Sequence, residues 1–198
     1  MAAAQPPAPP AEVVVPDHGL YEQPVPVKGR GVFPARAIPR GALVIKFVGP
    51  VYTRDTCPEF SEAIQVGVNA WMHSSGGLDD LVNHACDPNC GLWQVGPDTF
   101  LIALRDIPAG EELSFDYSTS MVDEPWSLEG CGCGTALCRG VVANFLDMPA
   151  DHQARYAAAG ALPEHVWVTA KARGVRLVRA GTLDAVAAVP ANPADAAE

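Results

Sequence analysis

Thr99-Phe100-Leu101-Ile102-Ala103-Leu104, then Arg105-Asp106-Ile107-Pro108-Ala109-Gly110, then Glu111-Glu112-Leu113-Ser114-Phe115-Asp116-Tyr117, carries the clearest pattern in the chain. A short apolar run rich in aromatic and β-branched residues, a turn marked by Pro and Gly, and a second apolar run describe two strands. In the second run Phe115 and Tyr117 are two apart, so a strand places both on one face. Taken alone, a Phe-x-Tyr pair is ordinary core.

The texture repeats outward from this stretch. Gly31-Val32-Phe33 and Ala42-Leu43-Val44-Ile45-Lys46-Phe47-Val48 are of the same kind, and Pro39-Arg40-Gly41, Gly49-Pro50 and Gly96-Pro97 supply the turns between them. The sequence therefore predicts a mainly β domain. After Asp147 the apolar spacing becomes helical and alanine-rich, which predicts one or two helices around residues 150 to 172, with Tyr156, Leu162, Val166 and Trp167 as the buried stripe.

The 198-residue chain carries 13 Lys and Arg against 23 Asp and Glu, a formal net charge of −10. That sign opposes direct binding to a phosphate backbone and favours a basic protein or peptide as partner. Glu111, Glu112, Asp116, Asp123, Glu124 and Glu129 crowd around Tyr117, and read either as a solvated acidic loop or as a docking surface for such a partner. No run approaches the roughly 20 apolar residues of a membrane span, and the N-terminus lacks a signal-peptide pattern, so a cytoplasmic location is expected.

In a reducing compartment the six Cys read as thiols or metal ligands. Cys131-Gly132-Cys133-Gly134-Thr135-Ala136-Leu137-Cys138 is a Cys-x-Cys-x4-Cys hook, and tetrahedral zinc needs one further ligand. Cys57, Cys86, Cys90 and the histidines are all candidates by spacing. The segment Asp80-Leu81-Val82-Asn83-His84-Ala85-Cys86-Asp87-Pro88-Asn89-Cys90 is a polar turn in which Asn83 and His84 can act simply as turn caps.

The pieces gain meaning from their order. Gly29-Arg30-Gly31-Val32-Phe33, then Asn83-His84-x-Cys-x-Pro-Asn, then Gly110-Glu111-Glu112-Leu113-x-Phe115-Asp116-Tyr117, then Cys-x-Cys-x4-Cys-Arg139-Gly140 together resemble a SET-domain protein lysine methyltransferase with its post-SET zinc segment, of the small, bacterial-like type. The resemblance implies a SET domain at 20–120 and a post-SET zinc segment at 127–147, and composition and spacing add an expected tail at 1–19, a helical C-terminal extension at 148–185 and a second tail at 186–198. It also implies small curved sheets, with a C-terminal pseudoknot that brings the Asn-His turn beside the Tyr strand.

By the same resemblance Asn83, His84 and Tyr117 line a pocket for S-adenosylmethionine, with the backbone of Gly29, Arg30 and Gly31 along it. Tyr117 is then catalytic, and Phe115 stands at the end of the substrate channel, where Phe favours di- or trimethylation of a lysine amine. Cys86 becomes the fourth ligand of a structural zinc beside Cys131, Cys133 and Cys138, leaving Cys57 and Cys90 as ordinary thiols. The chain departs from the family at Asp80-Leu81-Val82, at Ala85 and at Lys46-Phe47-Val48-Gly49-Pro50. It also lacks the usual aromatics between residues 51 and 78, where Tyr52 and Trp71 are the available substitutes. A second reading is a non-catalytic, zinc-stabilised module that binds basic peptides.

Overall fold

The computed structural model describes residues 13–122 and 126–178. Five small sheets carry the β part. Strands β1 (Leu20–Val25) and β2 (Gly29–Pro34) form an antiparallel hairpin. A second sheet has the order β3-β9-β8, from β3 (Leu43–Lys46), β8 (Cys90–Val95) and β9 (Asp98–Ala103). Gly96 joins β8 to β9 with φ at +56°, the left-handed value that the first residue of a tight two-residue hairpin loop takes. A third sheet has the order β4-β6-β5, from β4 (Val51–Tyr52), β5 (Ala63–Gly67) and β6 (Ala70–His73).

The smallest pairing matters most. β7 (Asn83–His84) lies beside β10 (Ser114–Phe115) in parallel, with Asn83 opposite Ser114 and His84 opposite Phe115. Parallel neighbours cannot be joined by a hairpin, so a long excursion must return the chain to this edge; β8 and β9 form part of it. Asn89, 2% exposed, latches the two together: its Oδ1 accepts the Ser114 N–H at 2.9 Å and its Nδ2 donates to the Glu112 carbonyl at 2.8 Å.

The strand expected through Tyr117 ends at Phe115. Asp116 captures the Ser118 N–H with its carboxylate and starts a single helical turn over Tyr117–Thr119. Phe115 and Tyr117 nonetheless remain in ring contact, their centroids 4.9 Å apart.

β11 (Ser127–Glu129) and β12 (Val141–Ala143) bracket the cysteine hook as an antiparallel pair, followed by helices α1 (Ala150–Ala158) and α2 (Glu164–Ala172). Tyr156, Leu162 and Val166 are buried as their spacing predicts, and Trp167 is half-buried against the same cluster. Phe145, Met148 and Val122 complete this second core. The main core is built from Val32, Ile38, Val44, Phe47, Leu92, Leu101, Ile107, Leu113 and Phe115. Each such side chain contributes roughly 1.5–3 kcal/mol by leaving water. No described helix is long and apolar enough to cross a membrane.

Residues 13–18, expected to belong to an N-terminal tail at 1–19, pack on the domain. Val13 and Val15 pack on the cluster of Leu43, Phe100 and Ile102, and the buried His18 ring bonds the Leu43 carbonyl at 2.7 Å. Residues 1–12, the C-terminal tail at 186–198 and the end of the expected extension, 179–185, lie outside the described residues.

Candidate functional site

The parallel β7–β10 pair places Asn83, His84, Phe115 and Tyr117 at one point. Asn83 reaches across to the β2 hairpin, donating from Nδ2 to the Arg30 carbonyl at 2.7 Å and to Glu112 Oε1 at 2.8 Å. Lys28 closes on the same carboxylate, Nζ to Oε2 at 2.9 Å. Gly31 permits this approach, since a Cβ there would stand 2.8 Å from Glu112 Oε1, 2.9 Å from Val25 Cγ2 and 3.1 Å from Asn83 Nδ2. Gly31→Ala is expected to cost about 1–3 kcal/mol by forcing Asn83 and Glu112 apart, read as a lower urea midpoint at unchanged slope.

Tyr117 donates its hydroxyl proton to the Val82 carbonyl at 3.0 Å. Burial first, and then the nearby Glu112 charge, push the phenol up to about 12. It is therefore protonated at neutral pH, with its oxygen lone pairs still free to accept. Tyr117 and Phe115 line a groove of about 380 Å³ together with Phe47, Ile64, Met121 and Trp126. Phe115 is held edge-on to Phe47 at 5.7 Å.

Burial is also the main reason that His84 is lowered to about 4; Asp116 opposes the shift, and Arg139 and Lys28 add to it. The ring is thus neutral, so its 3.6 Å approach to Asp116 Oδ1 is no ion pair. Nδ1 accepts the Tyr117 N–H at 3.2 Å, which leaves the proton on Nε2, 3.3 Å from Cys86 Sγ. As pH falls, the unfolded chain protonates this residue first. The neutral-ring stability is full above about 6.5 and is lost between there and about 4, on the order of 3 kcal/mol in all. The fall in urea-unfolding stability of metal-free protein between pH 7.5 and pH 5 is expected to be about 2 kcal/mol larger in the wild type than in His84→Gln.

Cys86, Cys131 and Cys133 converge with His84, their ligand atoms all within 4.8 Å of one another. The Cys86 and Cys131 sulfurs are 3.9 Å apart, close to the roughly 3.8 Å edge of a tetrahedron with 2.3 Å Zn–S bonds. Burial raises the Cys133 thiol, but hydrogen bonds led by that of Thr135 outweigh it and leave the group lowered to about 6, ready to ligate as a thiolate. These residues fit a zinc ion. Cys138 stands outside this group and is exposed, with Sγ 3.5 Å from the Cys131 carbonyl. Cys90 is fully buried and pushed up to about 12 by that burial, an inert thiol; Cys57 is half-buried and apart from the cluster.

Two expectations are revised. Trp71, considered for a ligand contact, is 0% exposed and packs on Phe60, out of reach of any bound molecule. Tyr52 stacks edge-on with His73. The acidic cluster is largely consumed by internal pairs: Glu111 with Arg105, Glu112 with Lys28, and Asp116 with Arg139 at 2.7 Å. Glu129 remains exposed, and Asp123 and Glu124 lie outside the described residues. Asp116 is a residue whose importance the sequence hid. Its carboxylate, fully buried, takes both arms of Arg139, the Ser118 N–H and the Tyr156 hydroxyl.

Comparison with known proteins matches the SET-domain family model over residues 29–118. Histone-lysine N-methyltransferase ash1 of Drosophila melanogaster is 34% identical over 131 residues, 58% of this chain and 6% of that protein. Histone-lysine N-methyltransferase SUV39H2 of Xenopus tropicalis is 30% identical over 149 residues, 57% of this chain and 36% of that protein. The chain thus spans only a minor part of the length of these relatives. The crystal structure of KRYPTONITE in complex with mCHG DNA and SAH superposes with a TM-score of 0.53 at 22% identity, covering 62% of this chain and 28% of that one, a likeness of fold. Residues 29–118 of this chain match the SET-domain family.

Proposed function

We propose that the protein transfers methyl groups from S-adenosylmethionine to the side-chain amine of a lysine in a protein substrate. The observation that carries this reading is the protonated Tyr117 phenol in a groove lined by Phe47, Ile64, Phe115 and Met121, packed against the His84 ring of the Asn83–His84 turn. The cofactor supplies a methyl group already activated by a sulfonium. What the chain must do is deliver a neutral amine in line with it and keep water out.

Tyr117 suits the first task. With its proton committed to Val82, its oxygen can accept from the amine N–H or from the polarised methyl, and with a pKa near 12 it does not act as the base. Phe47, Phe115, Ile64 and Met121 suit the second, because an apolar wall penalises the lysine ammonium and lowers its pKa. Glu62 and Asp80, exposed where they line the groove, favour a substrate carrying further positive charge, and a basic protein or peptide is the proposed class. Asn83, His84, Gly29, Arg30 and Gly31 would hold the cofactor.

Phe115 presents no hydroxyl to hold a water beside the amine, leaving room for a methylated nitrogen. Di- or trimethyl-lysine is the expected product, and Phe115→Tyr is expected to shift it toward monomethyl, read by intact-mass analysis of the product peptide. The zinc is proposed to be structural, held by Cys86, Cys131, Cys133 and Cys138.

The test is incubation of zinc-loaded protein with methyl-labelled cofactor and a panel of basic proteins, with the labelled residue identified after digestion. Label on lysine supports the reading. Cofactor binding with no transfer to any protein would instead indicate a module that only binds.

A further inference from the structure

Helix α1 turns two consecutive side chains, Arg155 and Tyr156, onto the elements that carry the metal group. Tyr156, 1% exposed, donates its hydroxyl to Asp116 Oδ2 at 2.8 Å. The same carboxylate holds Arg139 in a two-pronged pair, Nη1 to Oδ2 at 2.7 Å and Nη2 to Oδ1 at 2.8 Å. Arg139 follows Cys138 directly in the chain, and its backbone N–H points at Cys86 Sγ from 3.4 Å. Arg155 grips the other side of the same residue, donating from Nη2 to the Cys86 carbonyl at 3.1 Å and from Nη1 to Asp87 at 2.8 Å. Cys86 is therefore fixed at its sulfur by a chain that ends on Tyr156 and at its carbonyl by Arg155.

We infer that α1 is a positioning element of the metal group, with Tyr156 acting through Asp116 and Arg139, and Arg155 acting directly, so that helix docking and zinc retention are coupled. Three points favour this over simple packing. Apolar contacts alone would bury α1 against Phe145, Leu162 and Val166, yet the helix also places a phenol and a guanidinium at the ligand turn. The Asp116 carboxylate has no exposed side-chain surface, so a missing donor there is not replaced by water. Bonds in the shell outside a metal's ligands orient those ligands and commonly change metal affinity by about 10- to 100-fold when removed.

The inference rests on the zinc reading but not on methyl transfer. It is tested by the rate at which zinc-loaded protein gives up its metal to 4-(2-pyridylazo)resorcinol, alongside each variant's melting temperature. Tyr156→Phe removes one hydroxyl and keeps the ring. It is expected to speed release about tenfold, and Arg155→Ala similarly. Leu162→Ala weakens the same helical core without touching the hydrogen bonds, and is expected to lower the melting temperature while leaving release at the wild-type rate. Wild-type release from Tyr156→Phe, or release rates that simply follow melting temperature across all three variants, overturns the inference. A wild-type protein that takes up no zinc overturns the metal reading, and this inference with it.

Discussion

Tyr117→Phe is expected to lower the turnover of methyl transfer by about 100- to 1,000-fold while leaving cofactor affinity close to wild type. The oxygen lost is the group placed to accept from the reacting amine or methyl, whereas the ring, which packs on Phe115 and His84, is kept. A fixed acceptor is worth most where water is excluded, and this phenol is buried deeply enough for its pKa to stand near 12. The substitution also orphans the Val82 carbonyl, at about 1–3 kcal/mol of stability, so turnover must be measured well below the variant's melting temperature. Single-turnover rates and equilibrium cofactor binding separate the two effects. Turnover within about threefold of wild type would remove Tyr117 from the chemistry.

Stripping the metal is the second large effect. A structural zinc contributes its binding energy to folding, on the order of 10 kcal/mol in small zinc modules, so chelation should lower the melting temperature sharply and release the wall formed by residues 131–140. Since Cys86 sits two residues from His84 on the turn that also carries Asn83, cofactor affinity is expected to fall with it. The fourth ligand can be identified in the same experiment. For His84 to ligate through Nε2 it would need its proton on Nδ1, which faces the donating Tyr117 N–H. Cys138 meets no such conflict. Cys138→Ser is therefore expected to abolish tight zinc binding, and His84→Gln to retain it; the reverse pattern would assign the ligand to His84. Zinc per protein, measured by atomic emission after gel filtration, decides between them.

Several pieces of the candidate site are legible in the chain itself. The Asn83–His84 turn, the Phe115-x-Tyr117 pair, the Gly29–Gly31 stretch and the cysteine hook are short, local and chemically specific, so their spacing survives in the sequence. Three kinds of residue were misread or overlooked. The acidic residues near Tyr117 looked like a surface, because charge counted along a chain cannot show that Lys28, Arg105 and Arg139 arrive from elsewhere to pair with them. Trp71 looked available because an aromatic in a turn-rich segment carries no sign of its burial. Tyr156 has the spacing of a plain helical stripe and no neighbour in the chain marks Arg155, since their partners are 40 to 69 residues away.

Fold class and the inventory of candidate site residues follow from local sequence, because turn residues, strand periodicity and ligand-type side chains are properties of neighbours in the chain. How that inventory is wired depends on the packing of distant segments. The parallel pairing of Asn83–His84 with Ser114–Phe115 fixes which side chains meet at Tyr117, the tautomer of His84 follows from a backbone N–H that arrives with it, and Asp116 becomes a buried junction between the cysteine loop and α1. The physical reason is common to all three. Each is a directional hydrogen-bonded contact between segments far apart in the chain, and no local pattern records which distant donor will satisfy a buried acceptor.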